Sequence, residues 1–359
     1  MFKKSPIVRS ADIGYGHVKW TEGRDSDGNI IADSFASLAP LAVVDEFHSE
    51  ALLQRDTHIV PINGKFYEVG RNVHKAIGKN QELEQLNEHF ALSDGYAARL
   101  FGAFNYMLPN LPSKTIDYLM LGLPLTTLNK HQDSLSAKFV GEHVINKKGD
   151  RILVRNCAVY PQPLGGYAAY YVICQNEDEH PPLALLIDVG YNTVDWITCE
   201  GLMPNANQSG AVERGMSGFL REVAKSVMKA HAIPNSTESL VVRLIDQALM
   251  SNRQTVKLSS ETIDLTPHLE AGDFVLEQAA RAVQNNIGHG IDIEVIIMSG
   301  GGAARYAPWI KEMFPKHEVR VLDEPELANV RGFHQFGDWI AESAARAAPH
   351  EVLREVSNG

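Results

Sequence analysis

Two short stretches of the chain share one pattern, ADIGYG at residues 11–16 and LIDVGYNT at residues 186–193. In each stretch an apolar run ends in an aspartate, Asp12 or Asp188, and a glycine turn leads into a return strand. One such pattern alone is compatible with an ordinary β-hairpin. A hairpin has no structural reason to recur with the same aspartate, so the repetition favours a functional site built from two halves.

The chemistry of each half suits a cation together with a polyphosphate. Glycine has no side chain and adopts positive φ readily, so backbone N–H groups can approach phosphate oxygens closely. Magnesium keeps several of its waters and usually takes only one or two carboxylates, so one aspartate from each half is sufficient. Lys19, on the return strand after Asp12, offers a point charge for a β- or γ-phosphate. We therefore expect the two turns to close on one nucleotide.

The composition is that of a two-domain globular protein. The chain has 359 residues, and a domain usually contains roughly 100–200. It is 44% hydrophobic and 21% charged, which is enough for an ordinary core. Its formal net charge of −11 argues against direct binding of nucleic acid, because phosphate contacts require clustered Lys and Arg. Any connection to DNA is therefore expected to pass through a partner.

The sequence predicts a soluble cytoplasmic protein. Residues 1–6 lack the apolar core of a signal peptide, and no run of about 18 apolar residues indicates a transmembrane helix. Cys157, Cys174 and Cys199 have no CxxC spacing, and Cys157 and Cys199 are expected to be buried free thiols of a reducing compartment. The histidines form no HExxH or HxxxH pattern, so we expect no zinc site.

A third stretch, EVIIMSGGGA at residues 294–303, reads as a buried strand that enters a glycine turn before a helix. Such a turn binds an anion at the helix N-terminus or lets a flat ring lie on the backbone. A dinucleotide-binding fold would need G-x-G-x-x-G after the first strand, and residues 300–302 come too late and with the wrong spacing. A Walker loop is absent as well. A plain tight connection between strand and helix is the alternative.

Alternating and periodic apolar positions predict an α/β chain in which strands precede helices twice over. The helix predicted over residues 94–107 has Ser93 or Asp94 as its cap, and the helix near 128–141 has Thr126 or Asn129. Further strands are expected at 7–13, 18–22, 30–35, 59–62, 66–69, 115–121, 152–159, 194–199, 203–212, 295–298 and 319–322. Further helices are expected at 162–174, 217–231, 238–250, 268–288, from 304 and over 327–347.

The order of the three motifs resembles the actin superfamily, in which they correspond to phosphate 1, phosphate 2 and the adenosine motif. The proline-flanked helix at residue 162 resembles the first connecting helix of that superfamily, and the helix led by ANVRG at 328–332 resembles the second. The resemblance covers nearly the whole chain. DIGYG at 12–16 together with ANVRG is most similar to bacterial plasmid actins of the ParM/StbA type. A narrower resemblance is to the protein D component of PRTRC plasmid systems.

This resemblance implies an α/β, actin-like (ribonuclease H-like, duplicated) two-lobe ATPase fold with an interlobe nucleotide cleft. Lobe I would comprise residues 1–180 and 325–359, and lobe II residues 181–324. Asp12 and Asp188 would hold Mg²⁺ through water. ATP or GTP would be bound by Gly14, Tyr15, Gly16 and Lys19 from lobe I, and by Gly190, Tyr191, Asn192, Thr193, Glu213, Arg214, Ser217, Gly300, Gly301, Gly302 and Ala303 from lobe II.

Gln162 falls where the superfamily carries a Gln or Glu that orients the attacking water, and with Asp12 and Asp188 it completes the implied catalytic set. A neutral Gln cannot remove a proton and can only position water, as in GTPases. We therefore expect slow hydrolysis that becomes faster on assembly. The alternative is a helix-start residue that bonds the backbone. Hydroxyl residues are common in the first phosphate turn of actins, whereas residues 13–16 read IGYG. Backbone N–H groups alone, without a hydroxyl side chain, are therefore expected to sense the γ-phosphate.

Three functions follow from the resemblance. The first is an ATPase that polymerises head to tail into filaments and segregates plasmid DNA through a DNA-binding adaptor, since a heterologous interface that does not close makes a helical filament. The second is a small-molecule kinase, for which Asp94 and Asp117 are poor bases because they read as a helix cap and a strand-edge residue. The third is a non-polymerising, ATP-dependent assembly adaptor. The acidic stretch at 82–88 is either a solvated face or a filament contact.

Overall fold

The computed structural model describes residues 5–42, 55–77, 89–176 and 182–356, with side chains described as far as residue 346. The acidic stretch at 82–88 lies outside these ranges. The strands are β1 (Val8–Ile13), β2 (His17–Arg24), β3 (Ile30–Ala36), β4 (His58–Ile62), β5 (Lys65–Val69), β6 (Thr115–Leu123), β7 (Gly141–Val144), β8 (Arg151–Pro161), β9 (Ala184–Val189), β10 (Val194–Glu200), β11 (Met203–Val212), β12 (Thr255–Leu258), β13 (Glu261–Asp264), β14 (Val295–Ser299) and β15 (Glu318–Val321). The α-helices are α1 (Asp94–Met107), α2 (Leu125–Phe139), α3 (Gln162–Asn176), α4 (Met216–Ala230), α5 (Glu238–Met250), α6 (Asp273–Ile287), α7 (Ala303–Met313) and α8 (Pro325–Val356).

The chain divides into two compact units. The first unit comprises Met1–Pro181 and Asp323–Gly359, and the second unit comprises Pro182–Leu322. The second unit is therefore a single continuous segment inserted into the first. The chain leaves the first unit after α3 and returns to it through α8.

Each unit is built on a mixed sheet, and the two sheets share a five-strand arrangement to which the first adds β7 at its edge. The first sheet has the order β3-β2-β1-β6-β8-β7 and the second has the order β11-β10-β9-β14-β15. In both sheets the first three strands form antiparallel hairpins, and the following strand then pairs in parallel with the first. One α/β plan therefore occurs twice in the chain, as the sequence predicts.

Strand β1 is buried along its whole length because helices cover both of its faces. Ala11 and Ile13 belong to the core that includes α1, whereas Val8 packs with Phe333 and Ala341 of α8. The helix predicted over 94–107 is confirmed, and the hydroxyl of Ser93 caps it by accepting the Tyr96 N–H at 3.0 Å.

A buried polar network fastens α8 to this sheet. Ser10 donates its hydroxyl to the Val330 carbonyl at 2.6 Å, and its own N–H bonds the Thr21 hydroxyl at 3.0 Å. The Thr21 hydroxyl also lies 2.8 Å from His334 Nδ1. Burial, with a smaller contribution from Arg9, lowers the pKa of His334 to about 3, so its imidazole is neutral. The two groups are therefore joined by a neutral hydrogen bond.

Several boundaries differ from the predictions because caps and short helices are set by tertiary context. Helix α2 begins at Leu125 after Pro124 without a side-chain cap, so neither Thr126 nor Asn129 caps it. The helix predicted over 268–288 is a 3₁₀ segment over Thr266–Gly272 followed by α6. Strands β7, β12 and β13, of four residues each, are not predicted.

Across the ranges that the structure describes, no helix is long and apolar enough to cross a membrane.

Candidate functional site

The first hairpin places Asp12 near the end of β1, directly opposite Lys19 on β2. The turn between these strands closes with a hydrogen bond from the Gly14 N–H to the His17 carbonyl at 3.1 Å. A Cβ on Gly14 would lie 3.0 Å from that carbonyl oxygen, so the turn leaves little room for a side chain at this position.

Asp12 is held from two sides within the first unit. Its Oδ2 accepts from Lys19 Nζ at 3.0 Å, and its Oδ1 accepts from Gln162 Nε2 at 2.6 Å. The carboxylate is almost fully buried, and a buried charge requires such partners. Gln162 is the first residue of α3, directly after β8, so the strand delivers its amide to the end of β1. The structure thus brings together three of the residues predicted from sequence.

The rest of the first turn is shaped by packing and backbone bonds. The Tyr15 ring lies 5.0 Å from the Phe90 ring, and the Gly16 carbonyl accepts the Ser37 N–H at 2.9 Å. Burial lowers the pKa of His17 to about 4, and the Lys19 ammonium adds to the effect. His17 is therefore neutral at pH 7, and Lys19 supplies the positive charge at this turn.

The second hairpin repeats the geometry of the first. Asp188 lies on β9 directly opposite Asp195 on β10, at the same register position as Asp12 and Lys19. The turn again closes with a hydrogen bond to the residue three positions on, from the Gly190 N–H to the Thr193 carbonyl at 2.9 Å. The repeated motif in the sequence is therefore a repeated hairpin in the structure.

Asp195 is a residue that the sequence prediction missed. It is 1% exposed and lies across from Asp188, which is 4% exposed. Directly opposed like charges on neighbouring strands are unfavourable, and a cation relieves that repulsion. The signal was available, since Asp195 follows Asp188 at the spacing by which Lys19 follows Asp12.

Gly215 and the first two residues of α4 bond to the second turn. Gly215, Met216 and Ser217 donate their N–H groups to the carbonyls of Asn192, Gly190 and Tyr191, at 3.0, 3.1 and 2.6 Å respectively. A Cβ on Gly215 would lie 2.6 to 2.7 Å from backbone atoms of that turn, so Gly215 is a second residue that the prediction missed.

Side chains around the second turn differ in exposure. Thr193 and Ser217 are buried, whereas Glu213 and Arg214 are exposed in the connection between β11 and α4. The Arg214 carbonyl accepts the Tyr306 hydroxyl, which anchors this connection to α7. Burial, with Asp246 adding, raises the pKa of Tyr191 to about 12, so its phenol stays protonated.

The glycine turn after β14 packs onto the second hairpin. Gly302 donates its N–H to the Val189 carbonyl at 3.1 Å, and Ser299 donates its hydroxyl to Asp188 Oδ1 at 3.3 Å. Gly300 adopts φ +87°, and a Cβ there would lie 2.6 Å from Asp188 Oδ1. Gly301 is exposed, whereas Gly302 and Ala303 are buried. The glycine turn after β14 therefore contacts the second hairpin at Asp188 and Val189.

We expect Gly300→Ala to destabilise the second unit more than Gly288→Ala does. Both glycines have positive φ, which costs an alanine about 1–2 kcal/mol, but Gly288 has open space around its Cβ position. Gly300→Ala adds overlap with the Val189 carbonyl and with Asp188, so its total cost should reach about 3 kcal/mol or more. Urea unfolding of both variants measures the difference, and equal losses would contradict the close packing described here.

The carboxylates fit a cation that is held through its waters. In the described part of the chain no group of three or more His, Cys, Asp or Glu side chains is placed to hold a metal ion directly. Magnesium does not require such a cage, because it keeps several waters and binds through one or two carboxylates and substrate phosphates. Asp188 and Asp195, opposite each other on β9 and β10, supply oxygen donors of the kind that such a hydrated ion requires.

Comparison with known proteins gives one family on each unit. The family described as "Actin like proteins N terminal domain" matches residues 10–165. The family described as "Archaeal actin homologue MreB-like, C-terminal" matches residues 186–312. No curated protein matches the chain by sequence.

Solved structures of actin homologues have the same fold. A 15-stranded ParM filament from Clostridium botulinum superposes with a TM-score of 0.71 at 20% identity and covers 94% of this chain and 100% of that one. The archaeal actin homologue Ta0583 in complex with ADP gives 0.67 at 18% identity, covering 92% and 98%. The AlfA filament bound to AMPPNP gives 0.62 at 15% identity, covering 94% and 99%.

The two family matches together span most of the chain, and the turns of both hairpins and the glycine turn after β14 lie within them. The two-domain actin-like fold predicted from the sequence is confirmed. The chain belongs to the actin-like proteins, and its structural neighbours are ParM and other bacterial and archaeal actin homologues.

Proposed function

We propose that the chain is an actin-like ATPase that binds ATP (or GTP) with Mg²⁺ between two lobes and polymerises head to tail. Its two compact units would be the lobes, with boundaries near those implied by the sequence. The filament would segregate plasmid DNA through a DNA-binding adaptor. The proposal is supported by the fold and by the resemblance to ParM-type plasmid actins.

The observation that carries the proposal is the repeated hairpin. A buried aspartate stands at the same register position in both units, next to a turn closed by a glycine N–H. A glycine turn beside a carboxylate is the arrangement that a metal–polyphosphate ligand requires, because it offers backbone donors and a cation site together. Two such hairpins on homologous sheets are consistent with one nucleotide bound from both sides.

In this proposal Asp12 and Asp188 hold Mg²⁺ through water, and the bound ion neutralises phosphate charge. Lys19 balances the charge of Asp12 and, when phosphate arrives, can turn its ammonium to a β- or γ-oxygen. Tyr15 and Gly16 on one side, with Tyr191, Asn192 and Thr193 on the other, would offer backbone donors. Gly14 and Gly190, whose N–H groups close the turns, would let the phosphates approach the backbone. Gly300–Ala303 would face the adenosine, and Glu213, Arg214 and Ser217 would border the ribose or base.

Hydrolysis in this proposal depends on positioning. Gln162 has one amide hydrogen on Asp12 and retains a second hydrogen and a carbonyl oxygen for a water molecule. A neutral amide near pH 7 cannot act as a general base, so it orients the water and leaves the proton to solvent or phosphate. Such a site hydrolyses slowly until assembly tightens the geometry.

Self-association is supported by what the neighbours are known to form. The structures of ParM and AlfA quoted above are filaments, and the AlfA filament holds AMPPNP. The net charge of −11 makes direct contact with DNA unfavourable, so an adaptor with a basic surface is the partner expected.

We expect light scattering and the pelleted fraction to rise when ATP and Mg²⁺ are added, and to fall as ATP is consumed. With AMPPNP the signal should persist, because hydrolysis is prevented. Omitting Mg²⁺ is the control and should leave the protein in the supernatant. Binding of ATP without sedimentation at high protein concentration would contradict the filament and favour the non-polymerising adaptor.

The kinase alternative receives no support from the carboxylates first considered for it. Asp117 accepts the Ile7 N–H and Arg155 Nη1, both at 2.7 Å, and Asp94 accepts the Asn63 amide at 2.7 Å. Both therefore fasten local structure. Transfer of phosphate from ATP to an added small molecule, rather than to water, would nevertheless restore this alternative.

A further inference from the structure

The side chain of Gln162 lies against a glycine on the neighbouring strand. A Cβ on Gly122 of β6 would be 3.2 Å from Gln162 Cγ. Gly122 pairs with Tyr160 in the parallel β6–β8 register, so Gln162 follows two residues beyond that pair. The absence of a side chain at Gly122 therefore leaves the space through which Gln162 reaches Asp12 at 2.6 Å.

Phe333 of α8 fills the space on the other side of the same glycine. The Cβ position of Gly122 lies 2.5 Å from Phe333 Cε2, and that of Gly165 in α3 lies 2.8 Å from Phe333 Cε1. Phe333 is fully buried. Its ring is thus enclosed between strand β6 and the first turn of α3, the turn that begins with Gln162.

Helices α3 and α8 touch backbone to backbone at this point. A Cβ on Gly332 would overlap the Gly165 carbonyl oxygen and lie 3.0 Å from the Ala169 nitrogen. A Cβ on Gly165 would lie 2.5 Å from the Asn329 carbonyl oxygen. No side chain separates the helices here, so the start of α3 cannot shift towards α8. The atoms in contact are backbone atoms, which cannot move aside as a flexible side chain could.

We propose that Gly122, Gly165, Gly332 and Phe333 are positioning residues that hold Gln162 against Asp12 at the geometry needed to orient the attacking water. This inference rests on the proposed ATPase function. A Cβ at Gly122 would meet Phe333 and Gln162 first, and one at Gly165 or Gly332 would meet Phe333 or helix backbone, so these residues act on Asp12 through Gln162. Ordinary close packing is the competing explanation, and it predicts a loss of stability without a selective loss of turnover.

Gly122→Ala separates these explanations. The added methyl group would lie 2.5 Å from Phe333 Cε2 and 3.2 Å from Gln162 Cγ, so it should push the ring against α3 and shift the amide by a few tenths of an ångström or more. A misplacement of that size costs up to about a hundredfold in rate, so we expect kcat to fall about tenfold to a hundredfold. The ATP dissociation constant, measured by calorimetry, should stay within about twofold, because no phosphate-binding turn has been touched.

A second variant provides a rescue. Leu is smaller and lacks the ring atoms that the new methyl group would strike, so Gly122→Ala combined with Phe333→Leu should recover kcat to within about threefold of the wild type. Phe333→Leu alone should lower kcat a few-fold, because it removes the support of α3. That single variant also keeps the proposal testable if Gly122→Ala does not fold.

Gly337→Ala is the matched control. Gly337 lies on α8, the helix that carries Phe333. A Cβ there would overlap Val8 Cγ1 and lie 3.0 Å from Met120 Cγ, away from α3. It should lower the unfolding midpoint as Gly122→Ala does while leaving kcat unchanged. Equal changes of kcat in the two variants would overturn the proposal and leave ordinary packing as the explanation.

A second readout does not depend on turnover. With ¹⁵N-glutamine labelling, Gln162→Ala identifies the side-chain amide resonance of Gln162. Gly122→Ala should shift that resonance and Gly337→Ala should not, and an unshifted resonance in Gly122→Ala would overturn the positioning role. A wild-type protein that hydrolyses no nucleotide would instead contradict the proposed function, and the resonance would still decide whether these residues hold Gln162.

Discussion

Asp188→Ala is expected to abolish Mg²⁺-dependent hydrolysis, lowering kcat by about a hundredfold or more, as the loss of a metal-positioning or charge-stabilising group does. The reason lies in the second hairpin, where Asp188 is buried near the end of β9 beside the glycine turn. The unit itself should stay folded, because the change also removes one of two opposed carboxylates. ATP turnover at varied Mg²⁺ concentration, with thermal unfolding in parallel, measures both effects.

Asp292→Ala is the matched control for this variant. Asp292 is an exposed carboxylate of the same unit, just before β14, and its removal changes the net charge equally. Its turnover and Mg²⁺ dependence should match the wild type. Normal turnover in Asp188→Ala would remove the site assignment for both aspartates.

Gln162→Ala is expected to lower kcat about a hundredfold, a typical contribution of one group that positions a proton or a water in the reaction, while ATP affinity changes by less than about twofold. Asp12 loses one donor but keeps Lys19 at 3.0 Å, so the carboxylate proposed to hold the metal remains paired. Single-turnover hydrolysis and calorimetric binding together test the split. Loss of binding would instead show that Gln162 is a structural residue at the start of α3.

Gln162→Glu tests the same contact by charge. It would place a second carboxylate within hydrogen-bonding distance of Asp12 Oδ1, where Nε2 now lies at 2.6 Å. Two carboxylates that close cannot both be ionised without a large cost, so the pKa of one of them rises. We expect ATP–Mg²⁺ binding by this variant to vary with pH between about 5 and 8, whereas the Gln162→Ala protein binds uniformly. Identical pH profiles would contradict the direct contact with Asp12.

Local signals in the sequence were sufficient for most of the elements. The helix at Asp94–Met107 has a serine cap, and its ends are as predicted. Strand β11 spans Met203–Val212, again as predicted. Where the ends depend on packing, the prediction fails, as at α2, which begins at Leu125 without a capping side chain. Strands β7, β12 and β13 carry only one or two apolar positions each, too few to be recognised.

The sequence indicated the candidate site residues, and the structure shows how several of them contact one another. That Lys19 and Gln162 both bond Asp12 depends on the register of β1 with β2 and on the course of β8 into α3. Asp195 was within reach of sequence reasoning, since it repeats the spacing of Lys19. The roles of Gly122 and Phe333 were not, because they depend on three elements that meet only after folding.

The insertion of one unit into the other has a consequence for biosynthesis. The second unit is continuous and ends at Leu322, so all of its residues are synthesised before those of α8. The first unit needs α8 to cover β1, through the contacts of Ser10 with Val330 and of Val8 with Phe333. Domains generally fold as units during synthesis. The second unit can therefore fold before the first unit is complete. One apolar face of the nascent N-terminal sheet stays exposed to chaperones until α8 is synthesised.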